Sequence, residues 1–99
     1  MIIKEDYEYQ LEDRVVEDAE AQGWKVRKMT SPGRRGAFDR LFIKEGRHVH
    51  IEFKRKKDGR PSKLQVIEYA ALLKHGAEAY FCGNYDKAIL ILNLENKDD

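Results

Sequence analysis

The pair Glu45-Gly46 constrains this chain more than any other feature of its sequence. Lys44 and Arg47 flank the pair, and strand-like runs lie on both sides. A two-residue, glycine-containing turn between such runs closes a tight antiparallel hairpin and fixes its register. With the turn placed there, Ile43 faces His48, Leu41 faces His50 and Asp39 faces Glu52. Directly opposed residues share one side of a sheet, as do residues two apart on one strand. Asp39, Glu52 and Lys54 therefore converge on one face, while Phe42, Val49, Ile51 and Phe53 take the other and pack into a core. Two carboxylates side by side repel unless a cation sits between them. The stretch from Gly36 to Lys54 thus reads as half of a metal site. A slip of one residue would put Asp39 and Glu52 on opposite faces.

A chain of 99 residues is expected to form one domain, here residues 1–94 with a polar tail over 95–99. It can bury one modest core, which limits it to a sheet and about two helices. No stretch is long and apolar enough to cross a membrane, and the acidic start is unlike a signal peptide. A lone cysteine, Cys82, permits no internal disulfide and points to a reducing, cytoplasmic setting. The net charge is only +1, but it is unevenly spread. Residues 1–22 carry −6, residues 23–63 carry +10 and residues 64–99 carry −3. A basic segment within a nearly neutral chain suits a polyanion, although a solvated, salt-bridged surface has the same composition.

In chain order, Asp6 can cap a helix running to about Gln22, which Gly23 ends. Its apolar stripe is Leu11, Val15 and Ala19, widened by Val16, with Glu12 at the edge. Trp24 to Met29 reads as a strand near an edge of the sheet. The Pro- and Gly-containing loop over residues 30–36 carries Arg34 and Arg35, and the hairpin follows. After it come a basic loop with Arg55, Lys56, Lys57 and Arg60, then Pro61. Ser62-Lys63-Leu64-Gln65 is a capping box. The helix it opens is expected to send Leu64, Ile67, Ala71 and Leu72 to the core and to end at His75-Gly76. Ala79–Cys82 reads as a strand, Gly83-Asn84 as a turn, and the apolar run Ala88–Leu92 as a strand covered on both faces. The order is α-β-β-β-α-β-β, an α/β (α+β) layout with a mixed sheet of about five strands flanked by helices. The Lys54 strand, the Ser62 helix and the Ala79 strand can form a right-handed crossover.

Asp39, Glu52 and Lys54 together carry chemistry. Mg²⁺ takes oxygen ligands, commonly one or two carboxylates with water and a phosphate oxygen. Asp39 and Glu52 can supply the carboxylates and the Phe53 carbonyl a third oxygen. A bound metal polarises a phosphate and lowers the pKa of a bound water. Lys54 can orient that water or stabilise charge on the transition state. The bland alternative is a salt-bridge ladder on a strand pair, which contributes little stability. Arg34, Arg35, Arg55, Lys56, Lys57, Arg60 and Lys63 bracket these residues and suit phosphate contact that positions DNA without reading bases. His48 and His50 share the Asp39 side and suit solvent or DNA. His75 near a helix end and Cys82 in an apolar run read as structural. Tyr7 and Tyr9 fit either packing or DNA contact.

Glu12, Gly36-x-x-Asp39, Glu52-Phe53-Lys54-Arg55, and Gln65 after Gly-Arg-Pro-Ser resemble the virus-type replication-repair nuclease (VRR-NUC) family of the PD-(D/E)XK nuclease superfamily. The resemblance covers nearly the whole chain, with Phe38 where the family usually has proline. It implies a restriction-endonuclease-like core in a minimal stand-alone member. It implies that Asp39, Glu52 and the Phe53 carbonyl bind Mg²⁺ or Mn²⁺, with Glu12 an outer or direct acidic contributor. Lys54 becomes the catalytic lysine and Gln65 a polar support. It further implies a homodimer that cuts branched DNA, four-way (Holliday) junctions among them. The sequence allows such pairing through apolar runs such as Ala88–Leu92. The competing classes are a non-catalytic nucleic-acid-binding domain of the same fold and a small dimerisation module with incidental basic loops.

Overall fold

Glu45 and Gly46 both take positive φ, 50° and 86°. That is the backbone of a type I′ turn, whose twist matches the strands it joins. The structure, a computed structural model, describes residues 8–29, 36, 38–54 and 59–96. Its elements are α1 (Glu8–Ala21), β1 (Lys25–Lys28), β2 (Arg40–Lys44), β3 (Arg47–Phe53), α2 (Lys63–Lys74), β4 (Glu78–Cys82) and α3 (Tyr85–Leu92). The hairpin register is the one the turn dictates: Ile43 pairs with His48, Leu41 with His50 and Arg40 with Ile51. A non-glycine residue in the left-handed region costs about 1–2 kcal/mol, and asparagine tolerates it best. Glu45→Asn is accordingly expected to stabilise the fold by about 0.5–1 kcal/mol in urea unfolding, with the midpoint raised and the slope unchanged.

The strands lie in the order β1-β2-β3-β4. β1, β2 and β3 are antiparallel neighbours, and β4 joins β3 in parallel after the α2 connection. One face of the sheet holds the main core. Phe42, Val49, Ile51, Phe53 and Cys82 meet Leu11, Val15 and Ala19 of α1 and Ala88 and Leu92 of α3 there. Trp24 and Leu94 close its ends. The Arg47 guanidinium grips both carboxylate oxygens of Glu78 at 2.9 and 2.7 Å, donates to the Ile91 carbonyl at 3.1 Å and lies over the Trp24 ring. The Gln22 side chain holds the backbone of Glu95 through both its oxygen and its nitrogen, so the first residue of the expected tail is tied to the end of α1.

Two expectations are corrected. The run Ala88–Leu92 is not a strand but the body of α3, so among the described residues the sheet has four strands and the order is α-β-β-β-α-β-α. Asn84 caps this helix, with Oδ1 accepting the Lys87 amide at 2.8 Å. The second correction concerns α2, which is turned inside out. None of its residues is buried. Leu64, Val66, Ile67 and Leu73 are 43, 48, 58 and 46% exposed. Its half-buried residues are Gln65, Glu68, Tyr69 and Leu72, recurring at helical spacing. Tyr69 packs against Phe38 and Phe81 on the second face of the sheet. Of the expected stripe, only Leu72 faces inward. The described part of α1 begins at Glu8, and the expected cap, Asp6, lies outside the described residues.

Candidate active site

Each side chain of the site is held by a local device. Asp39 stands one residue before β2, and its carbonyl accepts the Met29 amide at 2.6 Å, which ties it to the end of β1. Glu52 and Lys54 leave β3 on the side opposite Phe53. The Lys54 amide donates to the Cys82 carbonyl at 2.8 Å, so β4 continues the ladder under the lysine. Gln65 sits in the first turn of α2. Gly36 has φ of 85°, and a Cβ there would lie 2.7 Å from the Leu64 backbone. Only glycine lets this loop and the start of α2 meet so closely.

Glu52, only 8% exposed as a residue, places its carboxylate at the centre of the arrangement. Its Oε1 accepts the backbone amide of Asp39 at 3.2 Å. Its Oε2 accepts the Gln65 side-chain amide at 3.0 Å and lies 3.8 Å from the Lys54 ammonium. Burial pushes the Glu52 carboxyl above the usual carboxylate range, and the charge of Asp39 adds to the push. The Asp39 amide, Lys54 and Gln65 oppose it. The chain has thus sunk an acid where its own charge is unwelcome.

Gln65 performs two tasks in one conformation. Its Oε1 accepts the Ser62 amide at 3.0 Å, while the Ser62 hydroxyl accepts the Gln65 amide at 3.1 Å. The capping box is complete, and Nε2 remains to hold Glu52. Capping therefore aims Gln65 rather than competing with the site for it.

Asp39, Glu52, Lys54 and Gln65 are brought together. Glu12 is not part of that group. It pairs with the Arg40 guanidinium, and Arg40 shares the Phe42 side of β2, opposite Asp39. Among the described residues no group of three or more His, Cys, Asp or Glu side chains is placed to hold an ion. Arg60 and Lys63 are exposed, while Arg34, Arg35, Arg55, Lys56 and Lys57 lie outside the described residues, as does Tyr7. His48 is exposed and His75 is tied by Nδ1 to the Ala71 carbonyl at 2.8 Å. Cys82 is buried, and burial pushes its thiol up.

One pair had escaped sequence reasoning. His50 is held below its ordinary pKa, chiefly by burial, with Glu68 of α2 opposing. Glu68 follows Gln65 by three residues and His50 precedes Glu52 by two, so the inner face of α2 meets the sheet through polar residues in both places. The signal was the spacing of Gln65, Glu68, Tyr69 and Leu72, masked by the stronger apolar pattern beside it.

No family model matches the sequence, and no curated protein does. The fold has a clear counterpart among solved structures. A chain described as a VRR_NUC domain superposes with a TM-score of 0.79 at 28% identity, covering 87% of this chain and 94% of that one. No helix of the described residues is long and apolar enough to cross a membrane. Four strands, the helices on both faces and the hairpin that joins Asp39 to Glu52 all lie within a chain that has the VRR-NUC fold.

Proposed function

We propose that this chain is a divalent-metal-dependent, structure-selective DNA endonuclease that hydrolyses phosphodiester bonds of branched DNA, four-way junctions among them. The observation that carries this reading is the buried Glu52 carboxylate, set beside Asp39, Lys54 and Gln65 with its pKa raised. Such an arrangement is a poor stabiliser and a good receptor for positive charge. The donor set is hard oxygen, which fits Mg²⁺ or Mn²⁺. Asp39, Glu52 and the Phe53 carbonyl would hold the ion. When bound, it polarises a phosphate oxygen and makes water more acidic. Lys54 offers its ammonium to the charge that develops on the phosphate. Gln65 keeps the Glu52 Oε2 aimed, while Glu12 stays paired with Arg40 on the other face of the sheet. Arg60 and Lys63, with Arg34, Arg35, Arg55, Lys56 and Lys57, contact backbone phosphates and make binding salt-dependent.

The test is to incubate labelled four-way junction, flap and linear duplex with the protein and Mg²⁺ or Mn²⁺. Junction or flap should be cut at least about tenfold faster than linear duplex, and a chelator should stop all cutting. No cutting with either ion would overturn the nuclease reading.

The homodimer is part of the same proposal, but its seat moves. Of the run Ala88–Leu92, Ala88 and Leu92 are buried within the chain, which leaves Leu90, 81% exposed, as its one fully open side chain. The outward face of α2, with Leu64, Val66, Ile67 and Leu73, is the apolar surface we assign to the second copy. Sedimentation is expected to give twice the 11.6 kDa of one chain, and Ile67→Lys to weaken pairing at least about tenfold. An unchanged dimer in Ile67→Lys would place the interface elsewhere.

A further inference from the structure

Beside Lys54 lies a hollow of about 230 Å³. Lys54, Gly59, Pro61, Phe81, Gly83 and Asn84 are among the residues that line it. Phe81 is the register partner of Glu52 on the neighbouring strand, so the hollow opens one strand away from the carboxylate. Its walls are unlike in chemistry. Phe81 and Pro61 offer carbon, Lys54 offers a cation, and the glycines bring no side chain into the space. Asn84 offers an amide: Oδ1 is engaged by the Lys87 amide of α3, and Nδ2 has no partner among the described residues. A bare phosphate would have no use for the aromatic wall. A purely apolar ligand would have none for the lysine and the amide. A nucleobase with its phosphate uses all of them: the ring against Phe81, a base acceptor toward Asn84, the phosphate toward Lys54.

We propose that this hollow takes the base of an unpaired nucleotide next to the scissile phosphate. The inference rests on the nuclease reading and deepens it by naming what the site selects. A base inside an intact duplex must break its stack to enter, whereas a base at a branch point, flap or mismatch is already free of its partner. Lys54 then serves two neighbours, the hollow and the Glu52 carboxylate 3.8 Å away, and a docked base sets the adjacent phosphate against the site.

The experiment compares duplexes that differ only in whether the nucleotide next to the cut is paired. The wild-type protein should cut the unpaired form about tenfold faster. Phe81→Leu, which keeps bulk and loses the ring, should bring that ratio to about threefold or less, as should Asn84→Ser, which keeps the helix cap and loses the amide. A second readout uses 2-aminopurine at the unpaired position with Ca²⁺ replacing Mg²⁺. Its fluorescence should fall on binding, and the fall should be lost in Phe81→Leu. Equal cutting of both duplexes, or a preference that survives both variants, would overturn the inference while leaving the nuclease reading intact. A fluorescence change without cleavage in Mg²⁺ or Mn²⁺ would sink the nuclease reading and leave the base-binding hollow standing. No fluorescence change with the unpaired base would count against the hollow whether or not the strand is cut.

Discussion

Asp39→Asn is expected to remove at least about a thousandfold of the cleavage rate while leaving the protein as stable as before or more so. The two effects have one cause. A bound divalent ion supplies several kcal/mol of charge stabilisation in the transition state, and each 1.36 kcal/mol is a factor of ten, so losing about 4 kcal/mol gives that loss. Without the ion, the Asp39 charge is a liability, because it helps raise the Glu52 pKa. Asparagine keeps the backbone amide that donates to Glu52 Oε1, so the local geometry survives. Opposed like charges cost about 0.2–1 kcal/mol on a strand pair, and that is the gain expected. The sign with pH follows from linkage. Glu52 has a folded-state pKa above that of an ordinary glutamate, chiefly through burial. The folded state then holds its proton longer than the unfolded state does, and wild-type stability falls as pH rises through that window. Asp39→Asn should flatten the fall, so the two proteins converge at acid pH, where Glu52 keeps its proton in both states, and separate toward neutral pH. Urea unfolding across pH in the presence of a chelator reads this directly. A variant less stable than wild type at neutral pH would mean that Asp39 serves the fold rather than the ion.

The legibility of Asp39 and Glu52 in the sequence has a physical reason. A two-residue turn leaves no freedom of register, so thirteen positions of separation resolve into one contact. Other parts were less accessible. Ala88–Leu92 is a short apolar run, and such runs suit a buried strand or a helix equally by hydropathy. The deciding spacing was Tyr85, Ala88, Ile89 and Leu92, which becomes visible only once Asn84 is taken as a cap. In α2 the apolar pattern misled outright. A helix ordinarily buries its apolar stripe, yet here the stripe of Leu64 and Ile67 is exposed. The inner face must instead supply Gln65 to Glu52 and Glu68 to His50, and one chain alone shows no reason for the outer face to be apolar. The bidentate Arg47–Glu78 clasp joins residues far apart in sequence, and no local pattern announces it.

Gln65 offers the second large effect, because its two tasks can be separated. Gln65→Leu removes the donor to Glu52 Oε2 and the acceptor for the Ser62 amide together. Gln65→Glu restores the acceptor, since glutamate serves a capping box as well as glutamine does, but it brings a carboxylate against Glu52. Ser62→Ala keeps the Glu52 contact and loses only the hydroxyl that accepts the Gln65 amide. Side chains that orient metal-binding carboxylates typically matter by about 10–100-fold in affinity or activity, so both Gln65 variants should lose cleavage on that scale. Ser62→Ala should cost about 1 kcal/mol of stability and keep cleavage within about threefold of wild type. Gln65→Glu is the informative case: with the cap acceptor restored, it should recover stability relative to Gln65→Leu at acid pH, where the facing carboxyls share a proton, without recovering cleavage. If cleavage tracked stability across all three variants, Gln65 would be a cap and nothing more. If cleavage instead followed the donor to Glu52, the first turn of α2 would be part of the machinery, and the inverted burial of that helix would have its explanation in the site it serves.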